Sequence, residues 1–218
     1  MRYNIYMMIQ SYISNPMLLV YLLPALLLSL TLHEWAHAYA AHLCGDDTAK
    51  MMGRMTLNPL AHLDIFGTIC LLLAGFGWAK PVPVNSRNFR SYRKGTVIVS
   101  LAGVTMNFLL LVVSSLIWFL GMKYLHLYNN EAFMYICMFF VSYNSVLMLF
   151  NLIPIYPLDG YHVLEILLGK YLPAKFFMWM RKYGNYLLIA VIIGMRFTSV
   201  SLFSWLPNLI IDLIYSAL

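Results

Sequence analysis

Charge is scarce in this sequence. Only 10% of its 218 residues are Asp, Glu, Lys or Arg, against about 25% in an average soluble domain. Once the apolar runs are set aside, too little is left for a soluble domain of ordinary size. Acid is scarcer than base, and the formal net charge is +6. The bases are dispersed in loops between apolar runs. That pattern reads as topology signals and lipid-headgroup contacts, not as a nucleic-acid footprint. Cysteine is nearly absent. Cys44, Cys70 and Cys137 are odd in number, scattered and without metal-binding spacing, which argues against a disulfide framework. Internal repeats and low-complexity tracts are absent too. The N-terminus offers one positive charge, Arg2, and no clear small-residue cleavage site ahead of the first polar motif. The first apolar run is therefore expected to be retained.

What the chain has is apolar length. It is 62% hydrophobic, with a mean hydropathy of +0.76, and it reads as an all-α polytopic membrane protein. Residues 17–43 make a helix of about 40 Å, enough to cross a bilayer with some tilt. Further spans are expected at 96–121 and 131–151. Two more apolar runs, 183–195 and 199–217, read as tilted spans or a helical hairpin turning at Gly194-Met195-Arg196. The total is about five spanning helices, with room for a sixth. Between the first two, residues 45–96 are punctuated by glycine and proline. The apolar run 68–74 is too short to span, so a small β or re-entrant element is expected there.

One pentapeptide stands out inside the first span: His33-Glu34-Trp35-Ala36-His37. On a helix, His33 and His37 project from one face, one turn apart. Two neutral imidazoles at that spacing suit Zn²⁺. Glu34 lies one residue round, where it can act as general base in metal-assisted hydrolysis without being a ligand. A single histidine in an apolar helix is usually a satisfied core residue. Two of them around a glutamate at membrane depth are hard to explain by packing, because ionisable groups there are costly and mark function.

Charge asymmetry orients the spans. Loop 45–96 carries seven Lys and Arg and connection 153–182 carries four, whereas the opposite side has Arg2, Lys123 and Arg196. Both basic connections are therefore expected in the cytoplasm. In that topology His33 and His37, Asn107 on the second span, and Asp159 after the third all fall toward the cytoplasmic side.

A catalytic zinc site with two histidines needs a third protein ligand. The acidic candidates are Asp159, Glu165, Asp64 and Asp212, with His62 as a competitor. Asp159 is favoured because it follows a spanning helix and is framed by Pro154, Pro157 and Gly160. The plainer alternative is an N-cap aspartate for the helix beginning near Tyr161. His42, His126 and His162 read as interfacial or loop histidines.

Taken together, these stretches resemble the site-2 protease family of intramembrane zinc metalloproteases, in its compact prokaryotic form without PDZ or CBS domains. The resemblance covers roughly residues 30–165. It rests on His33 to His37, on Gly53-Arg54-Met55-Thr56-Leu57-Asn58-Pro59 with His62 and Asp64, on Gly77-Trp78-Ala79-Lys80-Pro81-Val82-Pro83, and on Asn151 through Gly160. It implies one zinc per chain held by His33, His37 and Asp159, with Glu34 as catalytic base. It implies that Asn151 holds substrate backbone and that Gly75-Phe76-Gly77 pairs with an unwound substrate. Where the family often has Gly-Pro, this chain has Gly103-Val104; Asn107 keeps its place and is retained as a substrate-site residue. The implied protein is one membrane-embedded metalloprotease domain over 1–218, with a core at 17–165 and a C-terminal hairpin at 183–218. It would sit in the prokaryotic cell membrane, crossing it several times, and cut a transmembrane protein or peptide.

Two other classes compete. A membrane metal-binding or transport protein would also place His and Asp in spans, but it needs a continuous polar path, and few intramembrane charges remain to build one. An inert protease-like scaffold would have no need of Glu34. Cleavage of a transmembrane reporter by wild type and by Glu34→Gln separates these from a protease.

Overall fold

The computed structural model describes residues 14–74, 77–197 and 203–218. Among these residues the chain is helical and contains no strand. Helix α1 (Met17–Cys44) is built from leucine and alanine and carries Pro24 inside it. It stops at Gly45, whose φ of 108° suits glycine, and the backbone N–H of Asp46 closes the end onto the Ala41 carbonyl. Helix α2 (Ile65–Ala74) follows, then α3 (Tyr92–Leu125) and α4 (Glu131–Asn151). Asn130 caps α4 by accepting from the Phe133 N–H. Helices α5 (Asp159–Leu168), α6 (Ala174–Phe197) and α7 (Trp205–Ser216) complete the order.

Helices α1, α3 and α4 pack mutually, α5 leans on α3, and α7 on α4. These first three are, among the described residues, the helices long and apolar enough to cross a membrane. Large apolar side chains such as Val112, Leu116 and Ile117 stay exposed on α3. Such a face is costly in water and neutral in lipid. The buried apolar core lies toward the α3 C-terminus, around Leu111, Trp118, Met122, Cys137, Val141 and Ile214.

One expectation is met only in part and another needs correction. Where a small β or re-entrant element was expected, the described residues hold a ten-residue helix, α2, and one isolated antiparallel bridge between Leu63 and Ala79, with no strand among them. A short apolar run bounded by glycines fits helix and strand equally by pattern. At the other end, α6 runs through Gly194-Met195-Arg196 without turning and ends at Phe197. A lone glycine inside a helix costs only about 1 kcal/mol, too little to stop one. The expected strand residues Gly75 and Phe76 lie outside the described residues.

Candidate active site

Helix α1 brings His33, Glu34 and His37 to one buried face, where they are 6%, 8% and 8% exposed. Helix α3 meets them at Gly103. A Cβ there would lie 2.4 Å from His37 Nε2 and 2.5 Å from His33 Cε1, so only glycine leaves room for the two rings. Asp159 arrives from the other side as the first residue of α5. Gly160 permits that entry, since a Cβ on it would lie 2.3 Å from the Leu152 carbonyl oxygen. The helix N-cap is Leu158, and no side chain caps it. The Asp159 carboxylate instead faces the histidines.

The separations suit a metal. His33 Nε2 and His37 Nε2 are 3.0 Å apart. Asp159 Oδ2 is 3.6 Å from the first and 3.3 Å from the second. Four tetrahedral ligands held about 2.0–2.1 Å from zinc stand about 3.3 Å from one another. The ring tautomers fit as well. His37 Nδ1 lies 2.8 Å from the Val99 carbonyl, which can only accept, so Nδ1 donates and Nε2 presents a lone pair. His33 Nδ1 lies 2.6 Å from Asn107 Oδ1. Two lone pairs facing each other at 3.0 Å repel unless a cation lies near both. Asp159 Oδ2 is buried and makes no hydrogen bond, an arrangement that is costly without a partner. These three residues form the His/Asp/Glu/Cys cluster able to hold an ion among the described residues.

Glu34 is held by the backbone. The N–H of Val82 donates to Glu34 Oε2 at 2.9 Å. Pro81 and Pro83 flank Val82, so it is the one donor in that tripeptide. The strap carrying it is anchored on both sides. Lys80 N–H donates to the His62 carbonyl, and Asn85 N–H donates to Asp46 Oδ2 at 2.7 Å. Burial pushes the Asp46 carboxyl up, but hydrogen bonds from Thr48, Asn85 and Asn88 outweigh it and hold the group below its ordinary value.

A cavity of about 530 Å³ opens onto this cluster. His33, Glu34, His37 and Asp159 line it, with Pro81, Val82, Asn151 and His162. Asn151 Nδ2 donates to the Leu147 carbonyl of its own helix, and its Oδ1 has no partner among the described residues. Gly77 is described but does not line the cavity. Asn107, expected at the substrate, is instead fully buried behind His33 and does not line the cavity. Its amide is engaged by His33 on one side and Asn144 on the other.

The rival third ligands stand outside the cluster, although Glu165 lines the cavity. His62 is fully buried with Nε2 on the Thr56 carbonyl, and it braces the loop. Asp64 accepts from the Gly67 N–H at the start of α2. Glu165 pairs with Arg181 at 2.6 Å, and Asp212 is exposed. Among the site neighbours, reading the sequence missed Asn144, named Gly103 and Val82 only within family stretches, and took His162 for an interfacial or loop histidine. A single small or polar residue in an apolar helix carries no pattern, and a backbone donor has no residue-type signature. His162 falls three residues after Asp159, on the same face of α5, and that spacing could have revealed it.

Comparison with known proteins gives the family. The family model for peptidase family M50 matches residues 120–194. YwhC of Bacillus subtilis, provisionally named a zinc metalloprotease, is 46% identical over 162 residues, covering 72% of this chain and 74% of that protein. Rip2 of Mycolicibacterium smegmatis, provisionally named likewise, is 32% identical over 145 residues; the match covers 64% of this chain and 54% of Rip2. No solved structure matches the chain. With nearly half the residues shared across most of both chains, the protein belongs to peptidase family M50, the site-2 protease family of zinc metalloproteases.

Proposed function

We propose that this protein hydrolyses a peptide bond within or near a transmembrane segment of a membrane-protein substrate. The observation that carries the reading is the convergence of His33, His37 and Asp159, with Glu34 beside them, on one cavity among apolar helices. In this reading His33, His37 and Asp159 bind one zinc per chain, through the two Nε2 atoms and a carboxylate oxygen. Bound zinc would supply Lewis acidity, lowering the pKa of a water toward about 7 and polarising the scissile carbonyl.

The chain's own residues do the rest. Glu34 takes the proton of the attacking water and returns it to the leaving amine nitrogen. The Val82 N–H occupies one Glu34 oxygen and holds the carboxylate in the cavity wall, leaving the other oxygen for the proton transfer. Asn151 lines the same cavity, and its amide oxygen, unpartnered among the described residues, is proposed to accept from an N–H freed as the substrate helix unwinds. Gly75, Phe76 and Gly77 are proposed to pair with that unwound segment, replacing its lost backbone bonds.

The domain is proposed as one membrane-embedded unit over 1–218, crossing the prokaryotic cell membrane about five times, with its active site toward the cytoplasm. The three apolar helices support several crossings, the basic loops support the orientation, and the remaining crossings rest on the apolar runs 183–195 and 199–217. The test is a reporter transmembrane segment in proteoliposomes. Wild type should cleave it, and Glu34→Gln should keep zinc and lose turnover. Full activity in Glu34→Gln would refute the assignment of the base.

A further inference from the structure

The two histidines are anchored in different ways. His37 Nδ1 meets a backbone carbonyl on α3 directly. His33 Nδ1 meets a side chain, Asn107 Oδ1 at 2.6 Å, and that side chain leads onward. Asn107 Nδ2 lies 2.9 Å from Asn144 Oδ1 on α4. Asn144 Nδ2 in turn lies 2.9 Å from the Phe140 carbonyl and 2.9 Å from Ser29 Oγ. Ser29 is on α1, one turn before His33, so the circuit leaves and rejoins the same helix across two others. Asn107, Asn144 and Ser29 are all 0% exposed.

The direction of this chain follows from its far end. The Phe140 carbonyl can only accept, so Asn144 must turn its NH₂ toward it. That leaves Asn144 Oδ1 facing Asn107, which must donate through Nδ2. Asn107 Oδ1 is then an acceptor for His33, and His33 must carry its proton on Nδ1. Its Nε2 lone pair is left directed at His37 Nε2 and Asp159. Each amide's orientation is decided by the next, and the series ends on a main-chain group that cannot change role.

We propose that Asn107 and Asn144 form a positioning relay from α4 to His33, fixing the imidazole tautomer and direction that metal binding needs. The relay rests on the zinc-site reading above. It gives Asn107 a role in orienting a ligand, and it gives Asn144 one at two removes from the metal. Neither residue touches substrate.

The test uses the full chain in detergent with two readouts. Zinc affinity is measured by competition with a chromophoric chelator. The His33 tautomer is read from ring-nitrogen NMR of the metal-free protein. Wild type should bind zinc and show His33 protonated on Nδ1. Asn107→Leu should weaken zinc binding by about 10- to 100-fold, the usual effect of losing a partner behind a metal-binding histidine. Asn144→Leu should weaken it by a smaller factor, and the double variant should bind no worse than Asn107→Leu alone, because the two act in series. Asn107→Asp keeps an acceptor at His33 and should retain most of the affinity, which separates the relay from simple packing.

Wild-type affinity in Asn107→Leu, independent losses that add in the double variant, or an Asn107→Asp as weak as Asn107→Leu would each overturn the relay. Zinc uptake with His33 in the other tautomer would overturn it as well, with the zinc site intact. No zinc uptake by a wild type whose His33 carries the Nδ1 proton would sink the zinc reading and leave the relay's geometry standing.

Discussion

Replacing Gly103 by alanine separates folding from metal binding more sharply than any ligand mutation. The new Cβ would stand 2.4 Å from His37 Nε2, 2.5 Å from His33 Cε1 and 2.7 Å from His33 Nδ1. Ordinary contact begins near 3.5 Å, so the rings must retreat by roughly 1 Å. Metal sites tolerate about 0.2 Å in their bond lengths. Both histidines are hydrogen-bonded at Nδ1 and cannot swing away without losing those bonds. Zinc affinity should therefore fall at least about 100-fold, the upper end of what losing an outer-shell partner costs. Stability should change much less. Overpacking a core costs about 1–3 kcal/mol, while glycine to alanine inside a helix returns about 0.8–1.0 kcal/mol. The metal-free variant should melt within a few degrees of metal-free wild type, yet fail to compete for zinc against a chelator. Wild-type zinc affinity in Gly103→Ala would refute the placement of the metal between α1 and α3.

Other consequences follow from the same geometry. Asn151→Ala should lower cleavage by about 10- to 100-fold at unchanged zinc content, since an unpaired buried polar group costs about 1–3 kcal/mol and each 1.4 kcal/mol is about tenfold. An equal loss of zinc would make it a structural residue. Asp46→Ala should free the strap behind Val82 and lower kcat without removing zinc; an unchanged kcat would disconnect the strap from Glu34. Because the Asp46 carboxyl is held below its ordinary value, its contribution to stability is complete above the usual carboxylate range. It is lost as pH falls through the lowered folded-state value, which thermal melts of wild type and Asp46→Asn in acid would detect. Reporter fusions after residues 60 and 165 should read cytoplasmic and one near 126 external; an external reading at 60 would reverse the topology.

The parts of the site that were legible are those whose residue types advertise chemistry. His33, Glu34 and His37 share a helix face because their spacing matches its period. Asp159 stood out because prolines and a glycine frame it in a loop following a span. The structure then brings these residues together from helices 122 residues apart in sequence, which no local pattern encodes. Asn107 was noticed but sent to the wrong partner. Hydropathy alone does not say which way a polar residue in a spanning helix faces, and here it faces Nδ1 of His33. Gly103 was read only as a departure from a family pattern, although the contact it permits defines the space between two histidines. The role of Val82 was not legible because its contribution is a main-chain N–H. Helix α2 was not legible because the seven-residue run 68–74 between Gly67 and Gly75 looks alike as strand and helix. The lesson from α6 is similar, since one glycine beside an arginine is a weak reason to turn.

The most direct test of the central claim is to locate the cut. Purified wild type is incubated with a membrane-spanning substrate in proteoliposomes, and the products are sized by mass spectrometry against a Glu34→Gln control. The account predicts one principal scissile bond inside the apolar segment, in its cytoplasmic half, produced by wild type alone. Cleavage confined to a water-exposed loop, or identical products from Glu34→Gln, would contradict it.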